Sequence, residues 1–168
     1  MSSIPEWSKF TLKISINKSL HEVYDAWTKP NKLVVWFLEN AEYKTSEGAE
    51  RKSGENIKTG DLYQWKWNNW DVIEKGSVLA ANGKDNLSFS FGKAGNVNIH
   101  LKEKDKKTEV TLIQDEIPSD DESKMKFHEG CSRGWAFWLV NLKAWLEYGI
   151  LLNAKGLKQD DVKYLVNS

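Results

Sequence analysis

The segment Phe127-His-Glu-Gly-Cys-Ser-Arg-Gly-Trp-Ala-Phe-Trp-Leu-Val-Asn-Leu-Lys-Ala-Trp-Leu-Glu-Tyr148 carries Phe127, Cys131, Trp135, Trp138, Leu142, Trp145 and Leu146 at steps of three and four. That spacing is the pattern of a helix with one apolar face. It reaches the neighbourhood of Leu152, so a helix is expected from about Phe127 to Leu152. A helix of about 20 residues is roughly 30 Å long, enough to cross a small sheet. Gly130 and Gly134 each weaken its first part by about 1 kcal/mol relative to Ala. Ser119, with Glu122 three residues later, reads as a capping box, and the weakening at the two glycines allows Ser119 to Phe127 to be a separate turn or short helix.

Upstream of this helix the period is different. From Glu39 to Ile117 apolar residues recur at every second position, with strands expected at Asn40 to Lys44, Leu62 to Trp67, Lys75 to Ala81, Asn86 to Gly92, Asn96 to Glu103 and Thr108 to Glu116. The connections at Asn82-Gly83, Gly92 to Gly95 and Lys104 to Lys107 permit only hairpins, so the strands form an antiparallel meander. Thr45 to Lys58 is a polar loop. Phe10, Leu12, Ile14 and Ile16 alternate with polar residues in a further strand, about Ser8 to Asn17. A capping box, Ser19 with Glu22, then opens a short helix carrying Leu20, Val23, Tyr24 and Trp27, and Pro30 opens another with Leu33, Trp36 and Phe37. A β-sandwich is the alternative for so many strands, but helices at both ends argue against it. The expectation is an α+β fold: one curved antiparallel sheet of about seven strands wrapped around a long C-terminal helix, with two short helices after the first strand.

The chain has 168 residues, 24 Lys and Arg against 24 Asp and Glu, and one cysteine. This is the size of a single domain, with a core at about residues 8–152 and a tail at 153–168 that holds a weak helix from about Lys158 to Leu165. A formal net charge of zero gives no field for phosphate, so no nucleic-acid partner is expected. Cys131 alone makes no internal disulfide, and neither a secretory signal nor a membrane span is evident; a cytoplasmic location is expected.

Nine Trp either line a wide apolar cavity or fill a core, and composition does not choose between these. Tyr63, Trp65 and Trp67 share one strand face, as do Leu87, Phe89 and Phe91, while the long helix offers Trp135, Trp138, Leu142 and Trp145. More than half of these rings are expected simply to pack together. Gly130 and Gly134 leave room beside Trp135 and Trp138 for a ligand, with His100, His128 and Tyr63 as polar contacts. His128 and Cys131, near Asp120, Asp121 and Glu122, fall short of a closed zinc site, which needs four ligands. Cys131 as a nucleophile has no orienting carboxylate at a fixed offset, and Asp115 and Glu116 point to opposite faces of a strand. No Walker loop, dinucleotide fingerprint or serine elbow is present, so no cofactor or metal is expected.

Val23-Tyr-Asp-Ala-Trp-Thr-Lys-Pro30, Trp36-Phe37, Gly60-Asp-Leu-Tyr63, His128-Glu-Gly130 and Gly134-Trp135, leading to Trp145-Leu-Glu-Tyr148, resemble the activator of Hsp90 ATPase homologue family of the START-like (SRPBCC, helix-grip) superfamily. The resemblance covers about residues 8 to 150. It implies a helix-grip fold with an apolar cavity between sheet and C-terminal helix, members mostly without known catalysis, and a chaperone ATPase as a possible partner class. The separate N-terminal domain of the co-chaperone members has no counterpart in this sequence, whose first strand begins near residue 8. The expected function is non-catalytic binding of a small hydrophobic or amphipathic molecule at Trp36, Phe37, Tyr63, Trp65, Trp67, Phe89, Phe91, His128, Trp135, Trp138 and Leu142. The alternatives are a protein-interaction module stimulating a chaperone ATPase and, third, a cyclase- or hydrolase-type enzyme using His128 or His100.

Overall fold

Alternation of apolar and polar residues gives the first strand, β1 (Phe10–Ile16), in the computed structural model, which describes residues 6–168. The capping box then forms as the sequence requires. Ser19 Oγ accepts from the Glu22 N–H at 3.2 Å and the Glu22 carboxylate accepts from the Ser19 N–H at 3.1 Å, opening α1 (Leu20–Thr28). Pro30 sits in the first turn of α2 (Pro30–Trp36), where its missing N–H costs nothing. The Trp36 indole N–H donates to Ala26 O at 2.9 Å and locks the two helices together.

Six strands follow: β2 (Asn40–Lys44), β3 (Leu62–Lys66), β4 (Ile73–Ala81), β5 (Asn86–Ser90), β6 (Asn96–Lys104) and β7 (Lys107–Asp115). With β1 they make one antiparallel sheet of seven strands in the order β1-β7-β6-β5-β4-β3-β2. β4 pairs with β3 over Ile73–Ser77 and with β5 over Val78–Ala81, with a register shift between Val78 and Ala80. Such an irregularity bends and twists a strand, which helps the sheet curl. The polar loop before β3 is held by a two-pronged contact from the Arg51 guanidinium to the Asp61 carboxylate at 2.5 and 2.8 Å.

The helical region after the sheet differs from the sequence expectation at both ends. Asp120, not Ser119, is the N-cap: its carboxylate accepts from the Ser123 N–H at 2.9 Å to start the one-turn α3 (Asp121–Ser123). Asp caps as well as Ser, and the spacing to Ser123 satisfies the same geometry one residue later. A π-helical stretch, Lys124–Glu129, then leads into α4 (Gly130–Tyr148). The helix stops four residues short of Leu152 because Gly149 takes a left-handed conformation, φ 68°, and its N–H bonds back to Ala144 and Trp145. Leu142 and Leu139 of α4 are buried with Ile16, Trp27, Trp36, Ile99 and Leu112 in one core between helices and sheet. This is the helix-grip architecture.

The tail holds only a 3₁₀ turn, Gln159–Asp161, in place of the helix expected over Lys158 to Leu165. It is nevertheless fixed. Asn141, fully buried on α4, donates to Trp36 O at 2.6 Å and accepts from the Leu152 N–H at 2.7 Å. Beyond it, Asn69 in the β3–β4 connection donates to Ala154 O at 2.8 Å and accepts from the Leu157 N–H at 2.9 Å, while Gln159 accepts from the Asp71 N–H at 2.9 Å.

Candidate functional site

Period two sends Tyr63 and Trp65 of β3, and Trp67 just beyond its end, to the concave side of the sheet, where the end of α2 delivers Phe37 and α4 delivers Trp135 and Trp138. Phe37 is the hub of this assembly: its ring centroid lies 5.3 Å from Trp135, 5.3 Å from Trp138 and 5.7 Å from Trp67. Edge-to-face pairs such as Phe37–Trp138, at 77°, are the geometry aromatic quadrupoles favour. The rings do not close completely. A cleft of about 110 Å³ remains among Phe37, Trp67, Phe91, Cys131, Gly134, Trp135 and Trp138. Its rim is accessible because Trp67, Phe91, Cys131 and Gly134 are only partly buried.

Gly134 explains why the space exists. A side-chain carbon added there would meet nothing within 4 Å, so the helix contributes only bare backbone to the wall at this position. The Trp135 ring next to it is braced from behind. Trp135 donates its indole N–H to Gln114 Oε1 at 2.9 Å, and Gln114, fully buried on β7, in turn donates to Ala94 O at 2.9 Å. Trp135 therefore cannot swing without stranding a buried amide.

Two ionisable groups sit near the cleft. Burial pushes the Cys131 thiol up, a hydrogen bond with Gln114 partly offsets this, and the Glu74 charge adds to the rise. Cys131 is thus a neutral thiol rather than a nucleophile near neutral pH. Glu74 lies on β4 opposite Trp65 in register, on the concave side, against Gly92. Burial alone raises its carboxyl above the ordinary value, and among the described residues no side-chain hydrogen bond or ion pair reaches it.

Of the eleven residues expected at a ligand site, Phe37, Trp67, Phe91, Trp135 and Trp138 line the cleft. The other six do not. Trp36 is fully buried with its N–H spent on Ala26, and Leu142 is fully buried core. Trp65, stacked on Tyr63 at 4.1 Å and edge-on to Phe89 at 5.1 Å, forms a second layer behind the cleft. Burial drives the Tyr63 hydroxyl strongly upward, and it donates to Ser90 O instead of facing a ligand. His128 is placed elsewhere: its Nε2 meets Lys9 O at 3.0 Å, which requires the proton on Nε2, and its ring is wedged by Trp7 and Phe10. The π-helical turn accounts for this, because it breaks the α-helical phase between His128 and the cleft-facing residues of α4. His100 is exposed on the outer face of the sheet, beside Asn86. Neither histidine reaches the cleft, which removes the two residues named for an enzymatic reading. Among the described residues no three His, Cys, Asp or Glu side chains come together as a metal site.

Glu74 and Gln114 are the residues that sequence reading missed. Beginning β4 at Lys75 hid Glu74, although it lies two and four residues before Gly76 and Val78 and so shares their inner face. Gln114 is a polar residue in the inward register of β7, a position where only a hydrogen-bonded side chain is tolerated. A larger groove of about 340 Å³ opens on the outer face between Leu62 and Lys75, but its walls are exposed chains such as Glu42, Lys44, Gln64 and Lys75.

No helix among the described residues is long and apolar enough to cross a membrane. No curated protein matches the chain. Solved structures do: a protein of Staphylococcus saprophyticus at 19% identity covers 87% of this chain and 96% of its own, with a TM-score of 0.69. The Aha1 dimer of Colwellia psychrerythraea, at 17% identity, covers 84% of this chain and 97% of its own, with a TM-score of 0.66. A protein of Cytophaga hutchinsonii, at 21% identity, covers 84% and 94%, with a TM-score of 0.60. At these identities the likeness is one of fold. The family model described as activator of Hsp90 ATPase homolog 1-like protein matches residues 17–147, from the end of β1 to the last turn of α4, and to that family this chain belongs.

Proposed function

We propose that the protein binds a small, largely apolar molecule in the cleft between the sheet and α4, without transforming it. One observation carries this reading: five aromatic rings surround about 110 Å³ that a single methyl group at Gly134 would begin to fill. An apolar cavity of about 150 Å³ is large enough to hold one benzene-sized molecule, so the occupant, or the part of it that enters, is of that order. Apolar walls supply most of the affinity at such sites and a few polar groups supply orientation. Trp67, Trp135 and Trp138 report occupancy directly through their fluorescence. A panel of small aromatic and amphipathic compounds, read by intrinsic fluorescence and thermal shift, tests the reading. A ligand at 100 times its dissociation constant adds about 2.7 kcal/mol of stability. A flat response across the panel refutes it.

A second reading is supported by the family description itself and by the fold shared with the Colwellia Aha1 protein: action on a chaperone ATPase. This warrant comes from kinship, not from a site. Adding the protein to an Hsp90-type ATPase assay tests it; an unchanged rate and no co-elution count against it.

A further inference from the structure

The cleft has a chemical bias beyond being apolar. Its walls are mainly aromatic, rings carry a negative lobe on their faces, and among the described residues no Lys, Arg or His lines it. Glu74 adds a formal negative charge on the same side of the sheet. Its Oε1 lies 2.8 Å from where a side-chain carbon would stand at Gly92, so the glycine leaves the space the carboxylate uses. Gly92 follows Phe91, a wall of the cleft, and the carboxylate is close enough to Cys131, on the opposite wall, for its charge to be felt by the thiol. Among the described residues no donor reaches this half-buried carboxylate, so nothing in the protein offsets the desolvation that raises it.

We propose that the cleft selects a compact organic cation of the alkylated-ammonium class, its positive end held among the faces of Trp67, Phe91 and Trp135 and compensated by Glu74. Such a cation is soft enough to leave water, is attracted to ring faces, and supplies the charge that Glu74 lacks. An anionic ligand would face both the rings and the carboxylate, and a neutral one would leave Glu74 unpaired. The inference rests on the ligand-binding reading above and narrows it.

Choline and its uncharged isostere 3,3-dimethylbutan-1-ol separate the two claims, since they share shape and differ in charge. Calorimetric titration of the intact protein is expected to show choline bound at least tenfold more tightly, which is about 1.4 kcal/mol. The ratio of the two affinities is expected to fall at least tenfold in Glu74→Gln, whose fold is verified by its melting curve. Equal or tighter binding of the alcohol overturns the cation assignment and leaves the apolar-ligand reading standing. No binding of either probe at millimolar concentration overturns the cation assignment too, and the compound panel then decides the broader reading separately. An unchanged ratio in Glu74→Gln removes the carboxylate from the site and overturns the proposal as stated.

Discussion

Gly134 offers the sharpest separation of stability from binding. It sits inside α4 with ordinary helical geometry, and an added Cβ would meet nothing within 4 Å. Gly134→Ala therefore brings the full gain in helix propensity, about 1 kcal/mol, with no steric cost. For a chain of this size that raises the melting temperature by roughly 2–4 °C. Gly134→Leu keeps most of the propensity gain and projects a branched side chain into the cleft between Trp138 and Phe91, where it occupies the volume a ligand needs. Binding of any cleft ligand should then fall by tenfold or more for each roughly 1.4 kcal/mol of displaced contact. Circular-dichroism melts and fluorescence titrations on the parent and both variants suffice. If Gly134→Ala melts lower than the parent, the space beside Gly134 is not real. If Gly134→Leu is as stable as Gly134→Ala yet binds the same ligand equally well, the cleft is not the binding site.

Leu142, fully buried, should cost about 2–5 kcal/mol when changed to Ala, whereas Trp138→Ala, which enlarges a space already present, should cost nearer 1–2; urea unfolding in which the two are equal would make Trp138 ordinary packing. Stability should depend on pH in two opposed ways. Hydrogen bonds from Ser19 hold Glu22 low, burial of Asp25 is outweighed by Asn56 and Lys29, and Lys143 holds Glu147 low. These groups contribute stability above their unfolded values, and that contribution is lost as the pH falls below them. Glu74 is raised instead, so the fold loses stability as the pH climbs from the ordinary value of 4.5 through the folded one. Glu74→Gln should consequently gain melting temperature over the parent only above about pH 4.5; a difference that is constant with pH would contradict an unpaired, titrating Glu74. Asn69, at φ 70°, tolerates glycine, so Asn69→Gly keeps the backbone and deletes both tail bonds, roughly 1–3 kcal/mol of local protection. Faster hydrogen exchange at the Leu157 amide checks it.

The sheet was legible because alternation is strict wherever one face is buried: β2 was bounded as the structure has it, and the other strands to within two residues. α4 was legible as a helix but not in its limits, because the π-helical turn of Lys124–Glu129 keeps apolar residues at similar spacing while changing the backbone. The candidate site was half legible. Pattern alone shows that Trp65 and Trp67 face inward together, but only three-dimensional packing decides that Trp65 is covered by Tyr63 and Phe89 while Trp67 stays at the rim. His128 was misplaced for the same reason that α4 was mis-started, a local change of helical phase.

The connection after β3 holds Trp67 at one end and Asn69 two residues later, and Asn69 is tied to Ala154 and Leu157. One wall of the cleft is thus anchored by residues that lie beyond position 147, where the family match stops. The stretch that defines the kinship builds the grip, and a stretch outside it sets how one aromatic jaw is held. The hold on this jaw is consequently separable from the body of the fold: exchanging residues 154–157 would loosen Trp67 while leaving Asn153, bonded to the buried Asn141, and the fully buried Val162 in place.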